Sequence, residues 1–61
     1  MTIDDIKALG ARGINKFFAN VHEDYNARKL RAIFRESGIE VDNNASQEEL
    51  VDKLIDLVTE D

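Results

Sequence analysis

Asn26-Ala27-Arg28-Lys29-Leu30-Arg31-Ala32-Ile33-Phe34-Arg35-Glu36-Ser37-Gly38-Ile39-Glu40-Val41-Asp42-Asn43-Asn44-Ala45-Ser46-Gln47-Glu48-Glu49-Leu50-Val51-Asp52-Lys53-Leu54 decides the fold of this chain. Ala27, Leu30, Ile33 and Phe34 recur at helical spacing and predict a helix over 25–37, with Asp24 as its N-cap and Gly38 as the glycine just past its end. Ile39-Glu40-Val41-Asp42 then alternates apolar and polar, the pattern of an extended segment, and Asn43-Asn44-Ala45 continues it as loop. Ser46-Gln47-Glu48-Glu49 has the form of a capping box: the Ser46 hydroxyl accepts from the Glu49 amide while the Glu49 carboxylate reaches back to the Ser46 amide. The helix that follows turns Leu50, Val51, Leu54, Ile55 and Val58 inward.

Upstream, Thr2 is placed to accept from the Asp5 amide, two acids occupy the first turn, and Ile3, Ile6 and Leu9 share one side of a short helix. Gly10-Ala11-Arg12-Gly13 reads as an inter-helix turn bracketed by two glycines. A second helix from about residue 11 or 14 to residue 21 carries Ile14, Phe17, Phe18 and Val21 on one face and Arg12 and Lys16 opposite. The expected architecture is all-α, a single domain over 1–61. In it a small bundle of about four helices pairs two short N-terminal helices (1–24) with a helix, extended loop and helix (25–61). Its core comprises Ile3, Ile6, Phe17, Phe18, Val21, Leu30, Ile33, Phe34, Ile39, Leu50, Leu54 and Ile55.

Size and composition limit what such a domain can do. About 60% of the unfolded surface is buried at this length. Apolar burial of ~3,600 Å² contributes ~90 kcal/mol, and ordering the chain at ~1.5 kcal/mol per residue costs about the same. The chain has no cysteine, proline or tryptophan and one histidine, so neither disulfides nor a thiolate metal site can reinforce it. With 43% apolar and 34% charged residues it has the composition of a globular domain. No segment has the length or apolarity of a membrane span, and the N-terminus lacks the basic start of a secretory signal, so a cytoplasmic protein without a membrane partner is expected.

The net charge of −5 hides an uneven distribution. Residues 1–35 hold seven basic and four acidic side chains, and residues 36–61 hold one basic and nine acidic, a balance of +3 against −8. Arg28, Arg31 and Arg35 fall within about 60° of one another on a helical wheel, opposite the apolar stripe. Guanidiniums in a row suit phosphates, because each is a permanently charged planar donor fork. The alternative is an ordinary solvated face, with Arg28 and Arg35 paired to nearby acids. The last helix mirrors this arrangement: Glu48, Asp52, Asp56 and Glu60 form an acidic row fit to meet a basic protein partner, or to serve solubility alone. Glu49 and Lys53 are spaced as an i,i+4 ion pair.

Chemistry-bearing motifs fail on inspection. Asp42-x-Asn44-x-Ser46 starts like a calcium loop but has Gln47 at the sixth position and Lys53 at the twelfth, so no metal is expected. His22, Glu23 and Asp24 are neighbours in sequence and do not converge, which leaves His22 as a surface or cap residue. The chain has too little volume for a pocket of ~300 Å³, and no catalytic set is present. The expectation is a protein that is not an enzyme and takes neither cofactor nor small-molecule substrate. The G-x-x-G at residues 10–13 matches the phosphate-cradling turn of KH domains in four residues only, without that fold's strands. Helix-hairpin-helix proteins space their glycines two apart, where this chain has three.

Residues 25–58 resemble the helix-extended-loop-helix families, that is the HeH, SAP and LEM domains, to which the N-terminal domain of the Rho terminator is related. Phe34, Gly38 and Ile39 fill the helix-ending part of that pattern, and Ser46, Glu49, Leu50 and Leu54 fill the closing part. The resemblance implies non-catalytic binding: SAP members bind DNA, LEM members bind proteins, and HeH copies are frequent in phage proteins. Where SAP and HeH sequences often place glycine and lysine around the last N-cap, this chain has Ala45 and Gln47, which moves any phosphate contact to the basic first half. The candidate nucleic-acid residues are therefore Arg12, Lys16, Arg28, Arg31 and Arg35, contacting DNA in preference to RNA. The competing expectation is a protein-interaction module, of the kind a phage uses to modulate a host protein, acting through Glu48, Asp52, Asp56 and Glu60. Self-association is a third.

Overall fold

The computed structural model describes residues 1–60 and is all-α, with five helices: α1 (Ile3–Lys7), α2 (Gly10–Ala19), α3 (Val21–Asp24), α4 (Ala27–Glu36) and α5 (Gln47–Thr59). Asp61, the last residue of the expected domain and part of its acidic balance, lies outside the described residues. Helix α5 forms the spine, with α1 and α4 packed against it, while α2 packs on α1 and α3. The buried core is Ile3, Ile6, Val21, Leu30, Ile33, Phe34, Leu50, Val51, Leu54 and Val58. Fully burying side chains of this kind contributes roughly 1.5–3 kcal/mol each, which is what holds so small a bundle together.

Local chemistry explains most element ends. Thr2 and Asp5 form a reciprocal capping box at α1, the Asp5 amide donating to Thr2 Oγ1 at 3.3 Å and the Thr2 amide to Asp5 Oδ2 at 2.8 Å. At α5 the hydroxyl half of the predicted box forms, Glu49 N to Ser46 Oγ at 3.2 Å, and the carboxylate half does not. Gly38, at φ +77°, closes α4 in a Schellman motif: its amide donates to the Arg35 carbonyl at 3.0 Å, and the Ile39 amide to the Phe34 carbonyl at 2.9 Å. The connector then runs extended with Ile39 and Val41 half-buried and Glu40 and Asp42 exposed. It turns at Asp42, whose carboxylate accepts from the Asn44 amide at 2.9 Å.

Five expectations need correction. The N-cap of α4 is Asn26, whose side chain accepts from the Lys29 amide at 2.9 Å, and Asp24 instead ends the separate one-turn helix α3. Both residue types cap well, and the apolar spacing that follows does not choose between them. The glycine turn is made by Gly10 alone, at φ +79°, while Gly13 sits inside α2. Three elements rather than two therefore precede α4, the second of them ten residues long. Leu9, read as part of the first helix on one side with Ile3 and Ile6, lies past the end of α1 and is 48% exposed, because Gly10 turns the chain before a second turn of α1 is complete. Finally, Phe17, Phe18, Ile39 and Ile55 pack on the core without being buried in it, and Val51 and Val58 take buried places. The larger rings reach the core obliquely from α2, which contributes no buried residue.

Candidate nucleic-acid interface

Arg28, Arg31 and Arg35 project from α4, with Arg28 and Arg35 exposed and Arg31 half-buried. Arg31 and Arg35, one turn apart, line a surface groove of ≈ 310 Å³ together with Ile39, Glu40, Val41 and Asn43. The Schellman closure at Gly38 creates this groove by sending the connector back beside the last turns of α4. Among the described residues none of the five candidate cations has an acidic partner within ion-pair distance. The pairing of Arg28 and Arg35 with local acids is thus not formed, nor is the expected Glu49–Lys53 pair. At an exposed surface such pairs are worth only a few tenths of a kcal/mol, too little to hold long side chains in place. Two unengaged guanidiniums beside an amide side chain and two apolar residues can receive a phosphate and the flat face of a base or sugar. Glu40, in the same groove, supplies an acceptor that repels any anion on its side.

The structure does not bring all five cations together. Arg12 and Lys16 are exposed on α2, which packs on α1 and α3, whereas the arginine row lies on α4 against α5. Lys16 lines a different groove of ≈ 340 Å³, with Leu9, Gly13, Phe17 and Tyr25. A third groove of ≈ 350 Å³ lies between the start of α1 and the ends of α4 and α5, lined by Asp4, Lys7, Glu36, Leu57 and Glu60 among others. Grooves of the size thought too large for this chain therefore exist, as open surface features where helices of unequal length meet. Glu48, Asp52 and Asp56 are exposed along α5, and Glu60 is exposed just past its end.

Two polar residues that sequence reasoning missed position these elements. Gln47 Nε2 donates to the carbonyls of Tyr25 at 2.6 Å and His22 at 3.0 Å, fastening the start of α5 to the end of α3. The position where SAP-like sequences place a lysine is thus engaged internally, and the His22 side chain is left exposed. Ser37 Oγ accepts from the Ile3 amide at 2.8 Å and donates to the Ile33 carbonyl at 2.9 Å, joining α1 to the end of α4. Beside it the Met1 ammonium contacts Glu36 at 2.6 Å, which raises its pKa from the ordinary 8.0. The hydrogen bond to Glu36 is the main cause; desolvation opposes it, and the charges of Glu36 and Asp5 add to it.

Among the described residues no cluster of three or more His, Cys, Asp or Glu side chains could hold a metal ion, and no helix is long and apolar enough to cross a membrane. Compared with protein-family models, with curated proteins and with solved structures, the chain matches none.

Proposed function

We propose that this is a small non-catalytic binding protein of the cytoplasm that holds the phosphate backbone of nucleic acid, DNA in preference to RNA, through Arg28, Arg31 and Arg35. The observation that carries the reading is the groove in which Arg31 and Arg35 stand free of acidic partners among the described residues. The likeness of residues 25–58 to the helix-extended-loop-helix families supports it: the helix, the glycine stop, the extended connector and the Ser46 cap occur in that order. Arg12 and Lys16 stand on α2, where Lys16 lines a different groove, so the reading rests on the α4 arginines. Phosphate contact without base readout makes binding weak, sequence-tolerant and steeply salt-dependent, with a logarithmic slope of about −0.9 per phosphate neutralised on a duplex.

The test is a titration of backbone amide resonances with a short DNA duplex, its single strand and the RNA equivalent, at low and high salt. Shifts confined to α4 and the connector, lost when Arg28, Arg31 and Arg35 become glutamate, support the proposal. Affinity unchanged by that triple substitution overturns it.

A second reading has its own observation. The exposed row Glu48, Asp52, Asp56 and Glu60 offers a basic protein partner four carboxylates at one-turn intervals, the arrangement a phage-type modulator of a host protein would use. Capture of a basic partner that is lost on charge reversal of this row, with no response to nucleic acid, would favour it.

A further inference from the structure

Glu40 is out of place in a groove that receives only phosphate. It is exposed and lines the ≈ 310 Å³ groove with Arg31 and Arg35, yet it pairs with neither, since the one ion pair among the described residues joins Met1 and Glu36. Backbone alternation puts it there. Ile39 and Val41 pack against the core, so the extended connector turns the residue between them the other way. The groove therefore has two unlike sides. Two guanidiniums stand on the α4 side, a carboxylate and the Asn43 amide stand on the connector side, and the half-buried Ile39 and Val41 add aliphatic surface.

This pattern discriminates among occupants. The phosphates of a duplex backbone suit Arg31 and Arg35 but leave Glu40 facing like charge. An acidic peptide meets the same repulsion, and a basic one is repelled by the arginines. A nucleotide whose base is unpaired is anionic at one end only, and at the other it offers neutral donors and a flat apolar face. The groove volume is near the lower end of the roughly 300–1,000 Å³ of small-ligand pockets, room for one such unit. A carboxylate has two acceptor oxygens and no donor. Guanine matches it best, because N1–H and the N2 amino group stand side by side on the Watson–Crick edge. Adenine and cytosine set an acceptor nitrogen beside their single amino group, and thymine sets N3–H between two carbonyls. In a duplex that guanine edge is already paired with cytosine. We infer that the groove between α4 and the connector selects an unpaired guanine within a nucleic-acid strand. Arg31 and Arg35 hold its phosphate, Ile39 and Val41 support the base, Glu40 accepts from N1 and N2, and the Asn43 amide donates to O6. Arg28, exposed one turn earlier on α4 and outside the groove, meets a neighbouring phosphate, which a free nucleotide lacks. The inference rests on the phosphate-binding reading above and goes beyond it, adding one base contact to backbone contacts that by themselves carry no sequence.

The experiment titrates the isotopically labelled full chain with a short oligothymidylate, the same strand carrying one central guanine, and the guanine strand annealed to its complement. The guanine strand is expected to bind about fivefold more tightly than the all-thymine strand, the low end for a bidentate contact to a base. It should shift the amides of Ile39, Glu40 and Val41 as well as those of α4, and annealing should abolish its advantage. Both strands weaken as salt rises, while the ratio between them holds, because the base carries no charge. Glu40→Gln should weaken the guanine strand and strengthen the all-thymine strand, bringing the two together. Glu40→Ala is expected to do the same, and circular dichroism checks that both variants remain folded. Equal affinity for the two strands, lost for both when Arg28, Arg31 and Arg35 become glutamate, overturns the guanine inference and leaves the phosphate reading standing. Binding of neither strand overturns both. A guanine advantage that survives Glu40→Gln and Glu40→Ala, or that persists in the duplex, overturns the inference as well. So does deoxyguanosine monophosphate binding as tightly as the guanine strand, because a free nucleotide would then be the occupant.

Discussion

The side-chain amide of Gln47 lies 2.6 Å from the carbonyl oxygen of Tyr25, a hydrogen bond spanning 22 residues, and the same nitrogen reaches the His22 carbonyl at 3.0 Å. Gln47→Ala removes both bonds and is expected to cost about 1–2 kcal/mol. Gln47→Glu should be worse. A carboxylate at the start of α5 gains roughly 0.3–1 kcal/mol from the helix dipole, but it has no donor and faces two carbonyl oxygens. Denaturant titration of both variants checks the order, and a Gln47→Ala protein as stable as the parent would show that the clasp contributes nothing.

Replacing glycine by alanine inside a helix normally stabilises it by about 1 kcal/mol. At Gly13 the sign should reverse. The new Cβ would stand 2.6 Å from Leu9 Cβ, an atom fixed to the backbone, so the turn between α1 and α2 must shift. We expect Gly13→Ala to lower the melting temperature. Gly13→Ala combined with Leu9→Gly, which removes the clashing atom, should recover part of the loss.

Ser37→Ala deletes the acceptor of the Ile3 amide and leaves that donor half-buried without a partner. The expected cost is about 1–3 kcal/mol, with amide shifts concentrated at the start of α1. Ser37→Thr keeps the hydroxyl and should retain most of the stability, which separates the hydrogen bond from the bulk of the side chain.

The Met1 ammonium has a folded-state pKa raised above its unfolded value, so its contact with Glu36 stabilises the fold fully below pH 8. That contribution is lost as pH climbs through the raised value. Because the pair is solvent-exposed, the change is small. Stability of the 61-residue chain measured across the alkaline range should fall slightly, and acetylating the amino group or introducing Glu36→Gln should flatten the profile.

What could be read from the sequence is what neighbouring residues settle among themselves. The Thr2 and Ser46 caps, the Gly38 stop and the alternation from Ile39 to Asp42 depend on groups no more than a few residues apart, and all four occur. Gln47 and Ser37 were not legible, because their partners lie 22 to 34 residues away and a polar side chain in sequence does not name a distant carbonyl or amide. The same limit divides the candidate site. Arg31 and Arg35 share a groove because one helix places them a turn apart, a relation the wheel contains. The separation of Lys16 from them depends on α2 packing on α1 and α3 while α4 packs on α5, which no local spacing encodes.

That α2 buries no side chain has a consequence for how the molecule opens. Local unfolding of α2 withdraws Ile14, Phe17 and Phe18 from the edge of the core but exposes none of its own residues from full burial, so its amide protons should exchange with solvent at a lower free energy than those of α4 and α5, which hold seven of the ten buried residues. The protein then has two thresholds of protection instead of one. Anything that occupies the groove beside Leu9 and Phe17 would raise the lower threshold toward the upper, drawing the two exchange classes together.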